Sequence, residues 1–443
     1  MTASASSPSA PASTSPWPAM MVAVIGTGVL SGLGGIALSV MLHTIQHLAY
    51  GYGQVGGPHN FVQGVSAAPP WRRFVALCMA GVVAGVGWWA LGRFGRPLVS
   101  IAAAVGKQPG SGRVMPPLST VVHVLLQIVT VALGSPLGRE VAPRELGAVL
   151  ATGTGRVMGL TAEDRRIIIA CGAGAGLSAV YNVPLGGALF ILEVLLASVG
   201  QRAVLCAVAT SAIGAFVPWA VLGNVHQYAI GPMAVTAPVV LWALCAGPVI
   251  GIGAQGVKRL AGVAQNRAAK GLSRIGWCLL VFPALGVLTC FYPQLPGNGR
   301  GPMQLALSAQ LGPGLAGSLL VLKIIVIMGA LRAGAAGGLL TPSLTMGALL
   351  ASVLASVWNL WLPPVEVGTV ALLGGIAFLG TFMSMPLTAV ALGIEFTQVG
   401  HDMWIPIFLT SAGAMLAFRF SARARRPVVQ AQPDAPGSVS ARS

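Results

Sequence analysis

Apolar residues run along this chain in long blocks, around residues 19–42, 120–133, 236–256, 317–331 and 365–380. A helix needs about 20 such residues to cross the hydrocarbon core of a bilayer. Glycine and proline interrupt the blocks from within as well as separating them. In lipid, backbone groups freed by a broken helix must be satisfied by other protein or by a water-filled cavity. The pattern therefore predicts half-helices packed around a path rather than a simple bundle.

An internal repeat underlies the blocks. "GLSAVYNVPLGGALFILE" (176–193) matches "FLGTFMSMPLTAVALGIE" (378–395) without a gap at an offset of 202, so that Leu177/Leu379, Pro184/Pro386, Leu185/Leu387 and Glu193/Glu395 coincide. Upstream, "GREVAP" (138–143) and "GGLLTP" (337–342) end in Pro143 and Pro342, at an offset of 199. The order of features strengthens these short identities: a Gly-rich turn ending in Pro, then a Pro-Leu helix start running to Glu. The reading is two halves, about 72–222 and 272–420, with a leading helix over 19–48 and a linking one over 236–266. Whether the halves run parallel or inverted is open at this level.

Composition agrees. The 443 residues are 55% hydrophobic and 8% charged, with a mean hydropathy of +0.82, whereas a soluble domain is about 25% charged. The net charge of +16 suggests nucleic acid at first sight, but the basic residues lie scattered at helix ends, as the positive-inside rule expects. The clusters Lys258, Arg259, Arg267, Lys270, Arg274 and Arg419, Arg423, Arg425, Arg426 are then cytoplasmic, with no nucleic-acid partner. Cys78, Cys171, Cys206, Cys245, Cys278 and Cys290 form no CxxC and read as small hydrophobes. Residues 1–18 and 427–443 read as disordered tails, with no soluble regulatory domain after the last hydrophobic segment and a transmembrane domain over 19–426.

The two Gly-to-Pro turns carry the candidate chemistry. Proline suits the first turn of a helix, whose N–H groups are unpaired in any case. A helix N-terminus offers those free N–H groups and roughly half a positive charge. Two such ends meeting within the membrane make an anion site from backbone, able to replace a hydration shell without trapping the ion. Glu140, one of only nine acidic residues, sits in the first turn, where a carboxylate occupies an anion's place until protonation neutralises it. The plainer reading of Glu140 is an ion pair with Arg139 or Arg144. For Glu145, beside Arg144, a buried ion pair is the preferred reading.

At these residues the chain resembles the CLC chloride channels and chloride/proton exchangers. "GREVAP" resembles their Gly-Lys/Arg-Glu-Gly-Pro motif, "GGLLTPS" their Gly-Gly-Ile/Leu-Phe-x-Pro motif, and "GAGAGLSAVYNVPLGGALFILE" their Gly-x-Ala-Ala-Gly-x-x-x-x-Phe-x-x-Pro-Leu-x-Gly-x-x-Phe-x-x-Glu stretch. The three stand in order across roughly 20–420. The resemblance implies an all-α membrane protein of broken, tilted helices in an inverted repeat. It implies a homodimer that moves chloride, coupled to protons in the exchanger branch of the family, in the bacterial inner membrane with both termini cytoplasmic. It makes Glu140 the gating glutamate and puts Gly138, Arg139, Val141, Leu339 and Leu340 around the anion. Helices around 184–220 and 386–418 become the dimer face. An early serine ligand is also implied. Ser111, in "PGSGR", matches its motif textually, but Ser100, in "RPLVSIAAAV", fits the spacing better and is preferred.

Three departures matter. Val141 and Ala142 stand before Pro143 where the family has Gly-Pro, which adds a residue and predicts a shifted helix start. Val194 replaces the second glutamate carried by many proton-coupled members. The family's late tyrosine is missing, since Tyr50, Tyr52, Tyr181, Tyr228 and Tyr292 all lie upstream. The last two favour passive, gated conduction over exchange, with a chloride/proton antiporter of unorthodox proton path and selectivity for another halide such as fluoride as alternatives.

Other candidates carry less. His43 and His47 are spaced i, i+4 like metal ligands, but no glutamate lies between them and no acidic third ligand is near, so no metal or cofactor is expected. Lys323, within "LLVLKIIVIMGA", either snorkels to the interface or lends positive potential to the path. Glu193 and Glu395 read as architectural, satisfying free N–H groups of neighbouring segments, with a proton relay at Glu193 as the lesser reading. An intramembrane enzyme would need a catalytic pair inside the membrane. Asp164, Asp402 and Asp434 supply none, and a non-transporting scaffold would not need matched broken helices.

Overall fold

A computed structural model describes residues 14–52, 60–108, 110–224 and 227–423; the tail over 427–443 lies outside them. Seventeen α-helices make up most of the described chain. A leading helix, α1 (Trp17–Tyr50), and the short α2 (Asn60–Ala67) come first. The first half holds α3 (Pro70–Phe94), α4 (Ile101–Val105), α5 (Pro117–Ala132), α6 (Val141–Val157), α7 (Ala162–Tyr181), α8 (Pro184–Phe190) and α9 (Gln201–Leu222). A linking helix, α10 (Ala237–Asn266), follows. The second half holds α11 (Leu272–Phe291), α12 (Arg300–Leu307), α13 (Pro313–Arg332), α14 (Leu340–Trp358), α15 (Val367–Met383), α16 (Pro386–Thr397) and α17 (Trp404–Arg423). Eight described helices are long and apolar enough to cross a membrane.

The leading tail is shorter than the sequence suggests. Helix α1 begins at Trp17, and Ser15 before it is buried. Ser15 N–H donates to Asp164 Oδ2 (2.6 Å), and its hydroxyl accepts the Thr161 N–H (2.8 Å). These bonds occupy polar groups at the start of α7 and so anchor the chain before its first helix.

The two halves share their backbone, not only their motifs. Helices α7 and α15 both end in left-handed residues, Asn182 (φ 55°) and Ser384 (φ 57°). Val183 (φ −131°, ψ 70°) and Met385 (φ −137°, ψ 68°) then lead into Pro184 and Pro386. The next stops, at Ala197 and Gln398, are again left-handed. The first half carries one more residue over this stretch, and a π-helical turn at Ile191–Leu196 absorbs it. Glu193 and Glu395 thereby keep equivalent places.

Matched helices pack on each other in opposite directions. Gly286 of α11 lies against Phe74 of α3, Gly81 against Cys278 and Phe282, and Gly85 against Ile275. The contacts descend in α11 as they ascend in α3, so the repeat is inverted. Small residues let backbones approach within lipid. Gly147 of α6 meets the Gly172 carbonyl of α7, and Gly347 of α14 meets the Gly374 carbonyl of α15, so closely that a Cβ on Gly147 or Gly347 would collide.

The pseudo-symmetry also governs helix capping. Glu395 accepts the N–H groups of Leu185 (2.8 Å) and Gly186 (2.6 Å) at the start of α8. Glu193 accepts those of Leu387 (3.1 Å) and Thr388 (2.7 Å) at the start of α16. Each broken helix thus has its orphan donors satisfied by the acid that ends its counterpart.

Candidate functional site

The first turns of α6 and α14 come together from opposite halves. Gly138 and Gly338 exchange two backbone hydrogen bonds, of 2.7 and 2.8 Å, which locks the two turns side by side. Pro143 and Pro342 each stand third in their helices. The Val-Ala-Pro departure therefore leaves the helix start in register with its partner half.

Glu140 precedes α6 and is fully buried. Its carboxylate turns away from its own helix and caps the other one: Oε1 accepts the Leu340 N–H at 2.6 Å. The Tyr181 hydroxyl, at the end of α7, lies 3.4 Å from Oε2 and 3.1 Å from the Thr341 hydroxyl. A Cβ on Gly138 or Gly338 would overlap the carboxylate, so both glycines are the space it occupies. An anion-shaped position is made of two helix N-termini and filled by the protein's own anion.

Outside this position lies a cavity of about 580 Å³ whose walls include His43, His47, Arg139, Tyr181, Arg300 and Thr341. Among the described residues no Asp or Glu is in its walls. The Arg139 guanidinium sits over the Tyr181 ring, 5.2 Å from its centroid. Arg300 donates two hydrogen bonds to the Gln227 carbonyl. A cleft of one sign with low-dielectric walls concentrates counter-ions, and the charged side chains on these walls, Arg139 and Arg300, are both cationic. His43 and His47 line the same cavity, and the described residues contain no group of three His, Cys, Asp or Glu able to hold a metal.

Of the residues expected around the anion, Gly138, Arg139, Val141, Leu339 and Leu340 stand in the paired turns. The serines lie elsewhere. Ser100 is exposed and caps α4, accepting the Ala103 N–H at 3.2 Å. Ser111 is exposed in a turn with Gln108. Among the described residues no hydrogen bond links either serine to the Glu140 turn.

Two pairings differ from expectation. Glu145 does not pair with Arg144. It accepts from Gln127 Nε2 (2.9 Å) and faces His123 Nε2 at 3.7 Å. Trp88 Nε1–H donates to His123 Nδ1 (2.9 Å), and indole is only a donor, so a neutral His123 carries its proton on the nitrogen facing Glu145. Lys323 does not snorkel. Fully buried, its Nζ donates to the carbonyls of Leu295 (2.9 Å) and Gly297 (2.6 Å), tying down the loop before α12.

Sequence reasoning passed over Tyr181 and Thr341. The signal for Tyr181 was present: it stands where the family stretch has Phe. Thr341 had no mark beyond its place before Pro342.

A family model described as voltage gated chloride channel matches residues 80–419. The H(+)/Cl(-) exchange transporter ClcA of Cronobacter sakazakii is 27% identical, over 89% of this chain and 85% of its own length. The voltage-gated ClC-type chloride channel ClcB of Salmonella typhimurium is 26% identical, over 80% and 84%. Among solved structures, a slow cyanobacterial Cl-/H+ antiporter superposes with a TM-score of 0.77 at 20% identity, covering 92% of this chain and 96% of its own. A CLC-type fluoride/proton antiporter superposes at 0.64 and 18% identity, covering 91% and 96%.

Proposed function

The chain belongs to the voltage-gated chloride channel (CLC) family, and from that premise we propose that Glu140 is a protonatable gate in its anion pathway. CLC-type chloride transport across a membrane is the function, in a multi-pass integral membrane protein. The observation that carries the gate is the Glu140 carboxylate on the Leu340 N–H, 2.6 Å away and fully buried. A chloride arriving from the cavity competes with that carboxylate for the same donors. Protonation removes the carboxylate's charge and, with it, its advantage over the ion.

Passive, gated conduction is the preferred mode. It is supported by Val194 at the place of the second glutamate, by the absent late tyrosine, and by the capping role that occupies Glu193. Exchange with protons is the second reading. It is favoured by the partly buried Glu145–His123 pair, five residues beyond Glu140, and by relatives named as exchangers. The similarity to a fluoride/proton antiporter keeps fluoride as a candidate ion. The bacterial relatives support an inner-membrane location, with both termini cytoplasmic in this reading. Leu185, Leu387 and Phe408 leave an apolar surface beside α8 and α16, which supports a homodimer across that face.

The test is simultaneous measurement of chloride and proton movement in proteoliposomes under an imposed chloride gradient. Conduction predicts chloride flux with no uphill proton movement; uphill protons would establish exchange. Glu140→Gln should leave chloride flux without its pH dependence. An unchanged pH response in that variant would remove Glu140 from the gate.

A further inference from the structure

Arg144 is 8% exposed and lies one turn into α6. Its guanidinium packs over the Phe190 ring, 5.1 Å from the centroid. Among the described residues only Nε has a hydrogen-bond partner, the Glu140 carbonyl at 2.7 Å, and the two terminal nitrogens have none. No carboxylate reaches it either: the ion pairs of the described residues are His123–Glu145, Arg166–Glu163 and Arg202–Asp164.

Other cations of the membrane domain reach backbone carbonyls, while Arg139, as little exposed as Arg144, lies over the Tyr181 ring. Lys323 donates to two carbonyls, Arg73 to the Thr289 carbonyl and Arg300 twice to the Gln227 carbonyl. A buried charge without a partner is strongly unfavourable, and the neighbouring Glu145, the obvious candidate, is turned to Gln127 and His123 instead. Glu140, Tyr181 and Glu145 are the groups near enough to act on the Arg144 charge. That neighbourhood is the paired-turn site. Arg144 is also not among the walls of the outer cavity, where Arg139 lies, so the two guanidiniums serve different stretches of the path.

We propose that Arg144 is a side-chain ligand for the transported anion, taking chloride on its terminal guanidinium nitrogens in the stretch of the pathway bordered by Phe190. The proposal rests on the reading of the Glu140 turn as an anion site. Stacking on Phe190 holds the guanidinium plane while leaving its edge free to donate. The arrangement supplies one charged ligand to a site otherwise made of backbone.

The experiment is chloride titration of the purified protein, by calorimetry and by thermal unfolding with and without chloride, for the wild type, Arg144→Met and Arg144→Lys. Met keeps an unbranched apolar stem beside Phe190 but loses the charge; Lys keeps the charge. Arg144→Met should bind chloride at least about tenfold more weakly and lose the chloride-dependent rise in unfolding temperature, without unfolding earlier in chloride-free buffer. Arg144→Lys should recover most of the affinity. A Met variant that unfolds earlier yet binds chloride as the wild type does would make Arg144 a structural residue and overturn the proposal. If Met fails to fold, a Lys variant that folds but binds at the tenfold-weakened level would equally refute a charge-based role. Failure of the wild type itself to bind chloride would instead overturn the anion-site reading, and this proposal with it.

Discussion

Glu140 and Leu340 lie 200 residues apart, yet the carboxylate of one caps the helix opened by the other, with Oε1 2.6 Å from the amide nitrogen. An acid from the first half thus satisfies a donor of the second. The same exchange recurs at Glu193 and Glu395, so cross-half capping is a rule of this fold. At Glu140 alone the capping acid is flanked by a positive cavity, and there the cap becomes a competitor for anions.

The carboxylate is accommodated by the absence of side chains at Gly138 and Gly338. Gly338→Ala should therefore expel it from the Leu340 N–H while leaving the backbone pairing with Gly138 in place. Chloride efflux from proteoliposomes should then lose its pH dependence, as in Glu140→Gln. A pH profile like that of the wild type would show that the carboxylate does not need this space.

Tyr181 supplies a donor to Glu140 Oε2 at 3.4 Å and meets Thr341 at 3.1 Å. Tyr181→Phe removes both contacts and retains the ring under Arg139. A long hydrogen bond of this type contributes about 1 kcal/mol. Chloride flux at neutral pH should rise by about fivefold as the carboxylate is held less firmly. Flux equal to that of the wild type would show the hydroxyl to be a bystander.

The reciprocal caps should behave as stability elements. Glu193→Ala and Glu395→Ala each strand two N–H groups at the start of a broken helix, at a cost of about 1–3 kcal/mol. Thermal unfolding in detergent should register both losses at comparable size. The chloride-to-proton ratio of the transported ions should not change in Glu193→Ala; a changed ratio would restore Glu193 as a proton relay.

Lys323→Met should destabilise the protein by about 2 kcal/mol or more by orphaning the carbonyls of Leu295 and Gly297. A snorkelling lysine would be replaced without loss. Unfolding measurements on the methionine variant distinguish the two roles directly.

Much of this protein is legible from its sequence because the signals are local. Apolar blocks announce membrane helices, prolines mark helix starts, and the 202-residue offset from Pro184 to Pro386 reveals two halves. The gate turn is legible for the same reason: a glutamate in a Gly-to-Pro turn is an acid at a helix N-terminus whatever surrounds it. Partner choice is another matter. Arg144 and Glu145 are adjacent and oppositely charged, but neighbouring residues on a helix point in different directions. Glu145 turns to His123 and Gln127 of α5, and Arg144 to Phe190 of α8. The orientation of the halves likewise depends on α3 and α11 packing antiparallel, which no run of residues encodes by itself. Composition and spacing determine that this chain crosses a membrane with paired broken helices. Which acid meets which helix is decided by tertiary packing, because it joins residues 200 positions apart through the shape of everything between them.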